Sequence, residues 1–210
     1  MKGTVFAVAL NHTSQVKLWH EKFHESPYKT PPKTPIWFIK PRNTVVGSGD
    51  VIPYPLGETV QSGATLALVI GKTARKVSAQ DAVHYIAGYA LANEISLPET
   101  SFYRPAIKEK CRDGFCPIGQ MVKASSVESL DIVTELNGQE VDRWSTNDLI
   151  LSASKLLAAL SEFATLKAGD AILLGTPHRR VTLHPTDHVT IKAEGFPDLE
   201  NTVELTEGHL

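Results

Sequence analysis

The 210-residue sequence predicts a mainly β fold of the α+β class, with a few covering helices. Three observations carry this. Short apolar runs of strand length outnumber helix-length patterns. Strands and helices do not alternate, which argues against a Rossmann sheet or a β/α barrel. Asn137-Gly138, flanked by segments 130–136 and 140–144, is a strong short hairpin signal, because both residues tolerate positive φ. The length fits a single domain over residues 1–210, and no internal repeat divides it.

Taken in order, residues 4–10 (TVFAVAL) read as a buried strand ending at Asn11-His12. Ser14 is placed to cap a helix running to about residue 24, with Val16, Trp19 and Phe23 at helical spacing. Residues 26–35 (SPYKTPPKTP) hold four prolines and form an extended, helix-incompatible surface segment. Residues 36–39 are a short strand leading into Lys40-Pro41-Arg42-Asn43. Pro53 and Pro55 make residues 51–56 an edge or a loop. In 65–70, Leu66, Leu68 and Ile70 point one way, and Thr65, Ala67 and Val69 the other. Ser78 caps a short helix over 79–85, and 88–96 is a further strand. Residues 97–117 are irregular and polar, and a loop of that length in a compact domain is functional or disordered. Thr146 caps the clearest helix, 148–166, with Leu149, Leu156, Leu160 and Phe163 along one face. Strands at 171–174, 189–193 and 203–205 complete the chain.

A net charge of −2 without a basic block argues against nucleic-acid binding. The apolar runs are far shorter than the roughly 20 residues of a bilayer span. The first residues, MKGTVFAVALNHTSQ, do not read as a signal peptide, because Asn-His-Thr follows the apolar run where a small-residue cleavage site belongs. Cys111 and Cys116 are the only cysteines, and two thiols in such a chain point to a reducing cytoplasm and free cysteines.

Several groups invite a chemical reading beside a structural one. Cys111 and Cys116 lack the two further soft ligands of a zinc site, so packing suits them better. His20 and His24 share a helix face, but without the HExxH order a solvated face is the simpler reading. His12 follows a strand directly and serves either a site or the framework. Gly175-Thr176-Pro177 follows a buried strand, and its backbone and hydroxyl could hold a carboxylate. Lys40, Arg42, Lys110 and Arg112 gather cations at strand and loop ends, which suits an acidic ligand if they meet at one cleft.

The segments Asn11-His12, FIKPRNT, LALVIGK, YIAGYALANEIS, KCRDGFCPIG and GDAILLGTP, in that order, resemble the fumarylacetoacetate hydrolase family over nearly the whole chain. The resemblance implies a mixed β-sandwich or β-roll, and chemistry on 2-oxo acids with a divalent ion, usually Mg²⁺ or Mn²⁺, chelating the oxo and carboxylate oxygens. The family holds that ion with a Glu-x-Glu pair and an Asp. Those positions fall here on Gly63, Thr65 and Glu94, so one carboxylate remains and no metal cofactor is expected in this chain. The resemblance places Glu94 as an exposed remnant, and putting Glu back at 63 and 65 is expected to rebuild a three-carboxylate site. The lid His and its acidic partner fall on Gln15 and Leu18, and the family Arg falls on Pro98. Lys110, Thr176 and the Lys40/Arg42 pair keep the family residues.

The implied site is therefore Glu94 and Lys110 as catalytic residues, with Lys40, Arg42, Gly175 and Thr176 binding an acidic 2-oxo substrate. Within the family, the resemblance is to the first of two fused copies in enzymes of 4-hydroxyphenylacetate (homoprotocatechuate) degradation. Those decarboxylate an unsaturated 2-oxo tricarboxylate and isomerise the resulting 2-hydroxyhepta-2,4-dienedioate. A homodimer, or a heteromer with a paralogous, metal-bearing C-terminal-type subunit, follows from the same resemblance. The alternatives are a non-catalytic partner of such a subunit and, against the missing lid dyad, an acylpyruvate-type hydrolase.

Overall fold

The computed structural model describes residues 3–123 and 126–206. In chain order its strands are β1 (Val5–Ala9), β2 (Ile36–Lys40), β3 (Val45–Val46), β4 (Val51–Pro55), β5 (Val60–Ser62), β6 (Ala64–Ile70), β7 (Ile86–Asn93), β8 (Cys116–Pro117), β9 (Asp131–Leu136), β10 (Gln139–Ser145), β11 (Ala171–Leu173), β12 (Val181–Leu183), β13 (His188–Lys192) and β14 (Leu199–Thr206). The α-helices are α1 (Thr13–Trp19), α2 (Ile107–Lys110) and α3 (Ala153–Ser161).

Two five-stranded sheets form the body, one ordered β2-β1-β11-β6-β7 and the other β10-β9-β13-β14-β4. The pairs β1/β11 and β14/β4 are parallel, and the other pairs of these sheets are antiparallel, as a mixed β fold requires. All seven residues of β6 are buried because both its faces are covered. Leu66, Leu68 and Ile70 enter the main core with Leu91, Ile132, Leu156 and Ile191. Ala67 faces a second cluster rich in small residues, with Ala7, Ala90, Ala92 and Ala171. Burial of that kind stabilises by about 25 cal/mol per Å² of apolar surface.

The hairpin β9–β10 turns at Asn137-Gly138, whose φ values are 52° and 80°. β4, with its two prolines, is the edge strand expected of it. Three helix expectations are corrected. His12, not Ser14, caps α1: its Nδ1 accepts from the Ser14 N–H at 3.1 Å, and the helix ends at Trp19 before a separate 3-10 turn, Lys22–His24. Ser78 caps only a turn ahead of the 3-10 segment Ala82–Tyr85. The long helix over 148–166 is interrupted. Asn11 accepts from Leu151 N–H through its side chain and from Ile150 N–H through its carbonyl, both at 2.9 Å. These tertiary bonds pull 149–151 out of the helix, so α3 starts after Ser152, and Phe163 stands 62% exposed beyond its end. Among the described residues, no helix is long and apolar enough to cross a membrane.

Candidate functional site

The site is assembled from loop ends that the sheets bring together. Asn93 ends β7 and Glu94 follows it. Lys40 ends β2, Lys110 ends α2, and Gly175-Thr176 follow β11. β12 pairs with β5 in an antiparallel register that sets Val181 opposite Ser62, and one step further brings Arg180 beside Gly63.

Glu94 is the hub. It is only 3% exposed, which corrects the expectation of an exposed carboxylate. Lys110 Nζ lies 2.9 Å from its Oε2 and 3.1 Å from its Oε1, and Lys40 Nζ is 3.3 Å from Oε1. Arg180 Nη2 donates to Oε2, while Nη1 donates to the Glu94 carbonyl at 2.6 Å. Burial alone would raise the Glu94 carboxyl, but Arg180, Lys110 and Lys40 outweigh it and hold the group well below the usual carboxylate range. So strongly held an anion is a poor proton acceptor, and the expected catalytic role of Glu94 does not suit its surroundings. The Lys110 ammonium is lowered by its own burial, and Arg180 and Lys40 add to that.

Lys40 is corrected as well. Its side chain is fully buried and spends its hydrogens on Glu94, on Ile95 O at 3.1 Å and on Lys110 O at 2.5 Å, so it ties β2 to the cluster and does not face a ligand. Arg42 sits exposed in a 3-10 turn, away from the cluster. Arg112 pairs with Glu58 at 3.0 Å, also outside it. Thr176 is buried against the cluster, its Oγ1 accepting from Arg180 Nη2 at 3.1 Å, and the Gly175 carbonyl accepts from the Thr65 hydroxyl at 2.7 Å. Of the predicted lid positions, Gln15 is buried and accepts from Leu10 N–H through Oε1, whereas Leu18 is exposed.

Lys110 reaches one cavity, while Lys40 and Arg42 border a separate one of about 380 Å³. A cleft of about 480 Å³ opens between β2 and the facing loop, lined by Trp37, Phe38, Glu99, Tyr103, Ile107 and Lys110, among others. Glu99 Oε2 is 3.0 Å from Lys110 Nζ, and that ammonium lies 5.1 Å from the Phe38 ring centroid. Three cations, Lys40, Lys110 and Arg180, face two carboxylates, Glu94 and Glu99, so the cluster carries a net charge of +1 behind a largely apolar cleft. Such a wall attracts an anion.

Arg180 and Glu99 escaped the sequence reading. Arg180 lies four residues after Thr176, in the doublet Arg179-Arg180, but the β5–β12 pairing that aims it inward has no local signature. The positions that correspond to metal ligands do not fit a divalent ion. Gly63 offers no side chain, Thr65 gives its hydroxyl to Gly175, and Glu94 is enclosed by cations. Among the described residues, no group of three or more His, Cys, Asp or Glu side chains is placed to hold a metal.

Comparison with known proteins agrees with this architecture. The fumarylacetoacetate (FAA) hydrolase C-terminal family matches residues 4–204. The chain is 66% identical over 203 residues to the "4-hydroxyphenylacetate degradation bifunctional isomerase/decarboxylase" of Escherichia coli, covering 97% of this chain and 47% of that protein. It thus spans about half the length of these curated relatives. The structure of a 5-carboxymethyl-2-hydroxymuconate delta-isomerase from Mycobacterium smegmatis superposes with a TM-score of 0.84 at 29% identity, over 99% of this chain and 80% of that one. A 2-hydroxyhepta-2,4-diene-1,7-dioate isomerase from Mycobacterium marinum gives 0.83 at 29%, over 97% and 75%. The chain belongs to the fumarylacetoacetate hydrolase family.

Proposed function

We propose that this chain is an N-terminal-type unit of the decarboxylase/isomerase of 4-hydroxyphenylacetate catabolism. It acts in the cytoplasm without a metal of its own, on an unsaturated 2-oxo tricarboxylate and on the 2-hydroxyhepta-2,4-dienedioate derived from it. The observation that carries the reading is Lys110: an ammonium in the wall of an apolar cleft, backed by a cluster of net positive charge. The identity with relatives named for these two activities supports it.

In the decarboxylation, the bond to the leaving carboxylate breaks and its electron pair enters the conjugated 2-oxo system as a dienolate. The Lys110 ammonium stabilises that oxyanion, an electrostatic role of the kind that supplies most catalysis in preorganised sites. Protonation on the oxygen gives the 2-hydroxydiene. In the isomerisation, the hydroxyl proton leaves, the double bonds shift and a proton arrives at C5. Glu99, beside Lys110 in the cleft, relays it. Atoms and charge balance without a redox partner.

Calorimetric titration with 2-oxoheptanedioate tests the site. A charge-assisted hydrogen bond is worth roughly 1.5–3 kcal/mol, so Lys110→Met is expected to weaken binding about 10- to 150-fold. Unchanged affinity in a variant with native circular dichroism would remove Lys110 from the site. A second reading, that the chain is the non-catalytic partner of a metal-bearing paralogue in a heteromer, is favoured by the missing carboxylates at Gly63 and Thr65 and by the half-length match. That reading predicts binding without turnover.

A further inference from the structure

We propose that the Arg180 guanidinium is the resident cation of this site, built into the chain where the family pattern places a divalent ion, and that Gly63 and Arg180 together replace a Glu and its metal. The observation is steric and chemical at once. A Cβ added to Gly63 would lie 2.5 Å from Arg180 Nη1, 3.0 Å from its Cζ and 2.9 Å from the Glu94 carbonyl oxygen. The space that a side chain at position 63 would need is therefore filled by the guanidinium itself.

That guanidinium gathers oxygen atoms as an ion would. It donates to the Glu94 carboxylate, to the Glu94 carbonyl and to the Thr176 hydroxyl oxygen. Its side chain is 8% exposed. The β5–β12 pairing fixes its backbone, so the cation is delivered by the fold and not by loading. Exchanging two carboxylates and a dication for one monocation leaves the local charge within one unit of the family pattern. The substitute cation is covalently part of the chain, so a chelator cannot remove it.

Two consequences follow. Gly63 is required by Arg180, because any larger residue would displace the guanidinium. The expectation that Glu at 63 and 65 alone would rebuild a metal site is corrected: the new carboxylates would meet Arg180 and pair with it, leaving no room for an ion.

The test is thermal unfolding in chelator and in Mn²⁺, with Mn²⁺ binding followed directly by electron paramagnetic resonance. The parent chain is expected to bind no stoichiometric Mn²⁺ and to unfold at the same temperature in both buffers. Arg180→Ala is expected to unfold at a lower temperature and to be partly rescued by methylguanidinium but not by methylammonium. Gly63→Glu/Thr65→Glu is expected to gain nothing from Mn²⁺. Adding Arg180→Ala to that pair is expected to produce a rise of about 5–10 °C at a Mn²⁺ concentration about 100-fold above its dissociation constant. Stoichiometric Mn²⁺ on the parent, which needs no variant to fold, would overturn the proposal. So would an Arg180→Ala variant as stable as the parent, equal rescue of the double and triple variants by Mn²⁺, or a folded triple variant without rescue.

Discussion

Replacing Glu94 with Gln removes the negative hub while keeping the side-chain volume. Its two oxygens now accept from donors on every side, Lys40 and Lys110 at Oε1 and Lys110 and Arg180 at Oε2. Whichever way the new amide is turned, its NH₂ points at a cation and cannot be satisfied. Three buried cations are then left facing Glu99 alone. Removing one partner from a buried ion pair costs about 3–5 kcal/mol, because the remaining charge is stranded. For a chain of this size, that is a fall of roughly 6–20 °C in melting temperature, at about 2–4 °C per kcal/mol. Urea unfolding followed by fluorescence of Trp19, Trp37 and Trp144 reads the same loss. Lys40→Met is the control: it takes the cluster from +1 to neutral and is expected to cost less than Glu94→Gln. A Glu94→Gln loss below about 1 kcal/mol, the scale of a surface pair, would refute the buried-hub reasoning. So would a Lys40→Met variant less stable than Glu94→Gln.

Two further outcomes follow from the titrating groups. The His12 imidazole is lowered from 6.5, chiefly by burial. Its folded value lies below its unfolded one, so the stability it contributes is present above pH 6.5 and is lost as pH falls through the lowered value. His12→Asn keeps a good helix cap and removes that titration, so its stability is expected to fall less than the parent's just below pH 6.5, as urea midpoints across pH 5–7.5 would show. Equal slopes would exclude His12. Glu94 follows the same direction at lower pH: its contribution is present above about 4.5 and is lost towards its depressed folded value. The Cys116 thiol is fully buried and pushed up to about 12 by burial, while Cys111 is partly exposed. A thiol reagent at pH 8 is expected to label Cys111 first and Cys116 only on unfolding, and simultaneous labelling of both in the folded chain would contradict the burial.

Much of the framework is legible because it rests on short-range rules. The alternation in 65–70 predicts β6 and the two cores it divides, and Asn137-Gly138 predicts its hairpin from the φ values those residues allow. Pro53 and Pro55 mark an edge strand because a central ladder needs the N–H they lack. Where tertiary bonds intervene, local reading fails. The face of 148–166 is helical in pattern, yet Asn11, some 140 residues away, captures the backbone at 150–151 and moves the start of α3. The site divides the same way. The family motifs locate Glu94, Lys110 and Thr176, which do converge, but not the protonation or exposure of any of them. Lys40 and Arg42, two residues apart, end in opposite environments, one sealed in the cluster and the other in solvent. Arg180 depends on three-residue strands too short to carry a periodic signal.

The most direct test of the proposed function is ultraviolet monitoring of 2-hydroxyhepta-2,4-dienedioate with the purified chain, in chelator and again in excess Mg²⁺. The expected result is loss of the dienol absorbance faster than in buffer, at the same rate in both solutions, and about 10²–10³-fold slower with Lys110→Met, as for the loss of one oxyanion donor. A rate equal to the buffer blank in both solutions, or turnover that appears only with Mg²⁺, would contradict a metal-independent active site in this chain.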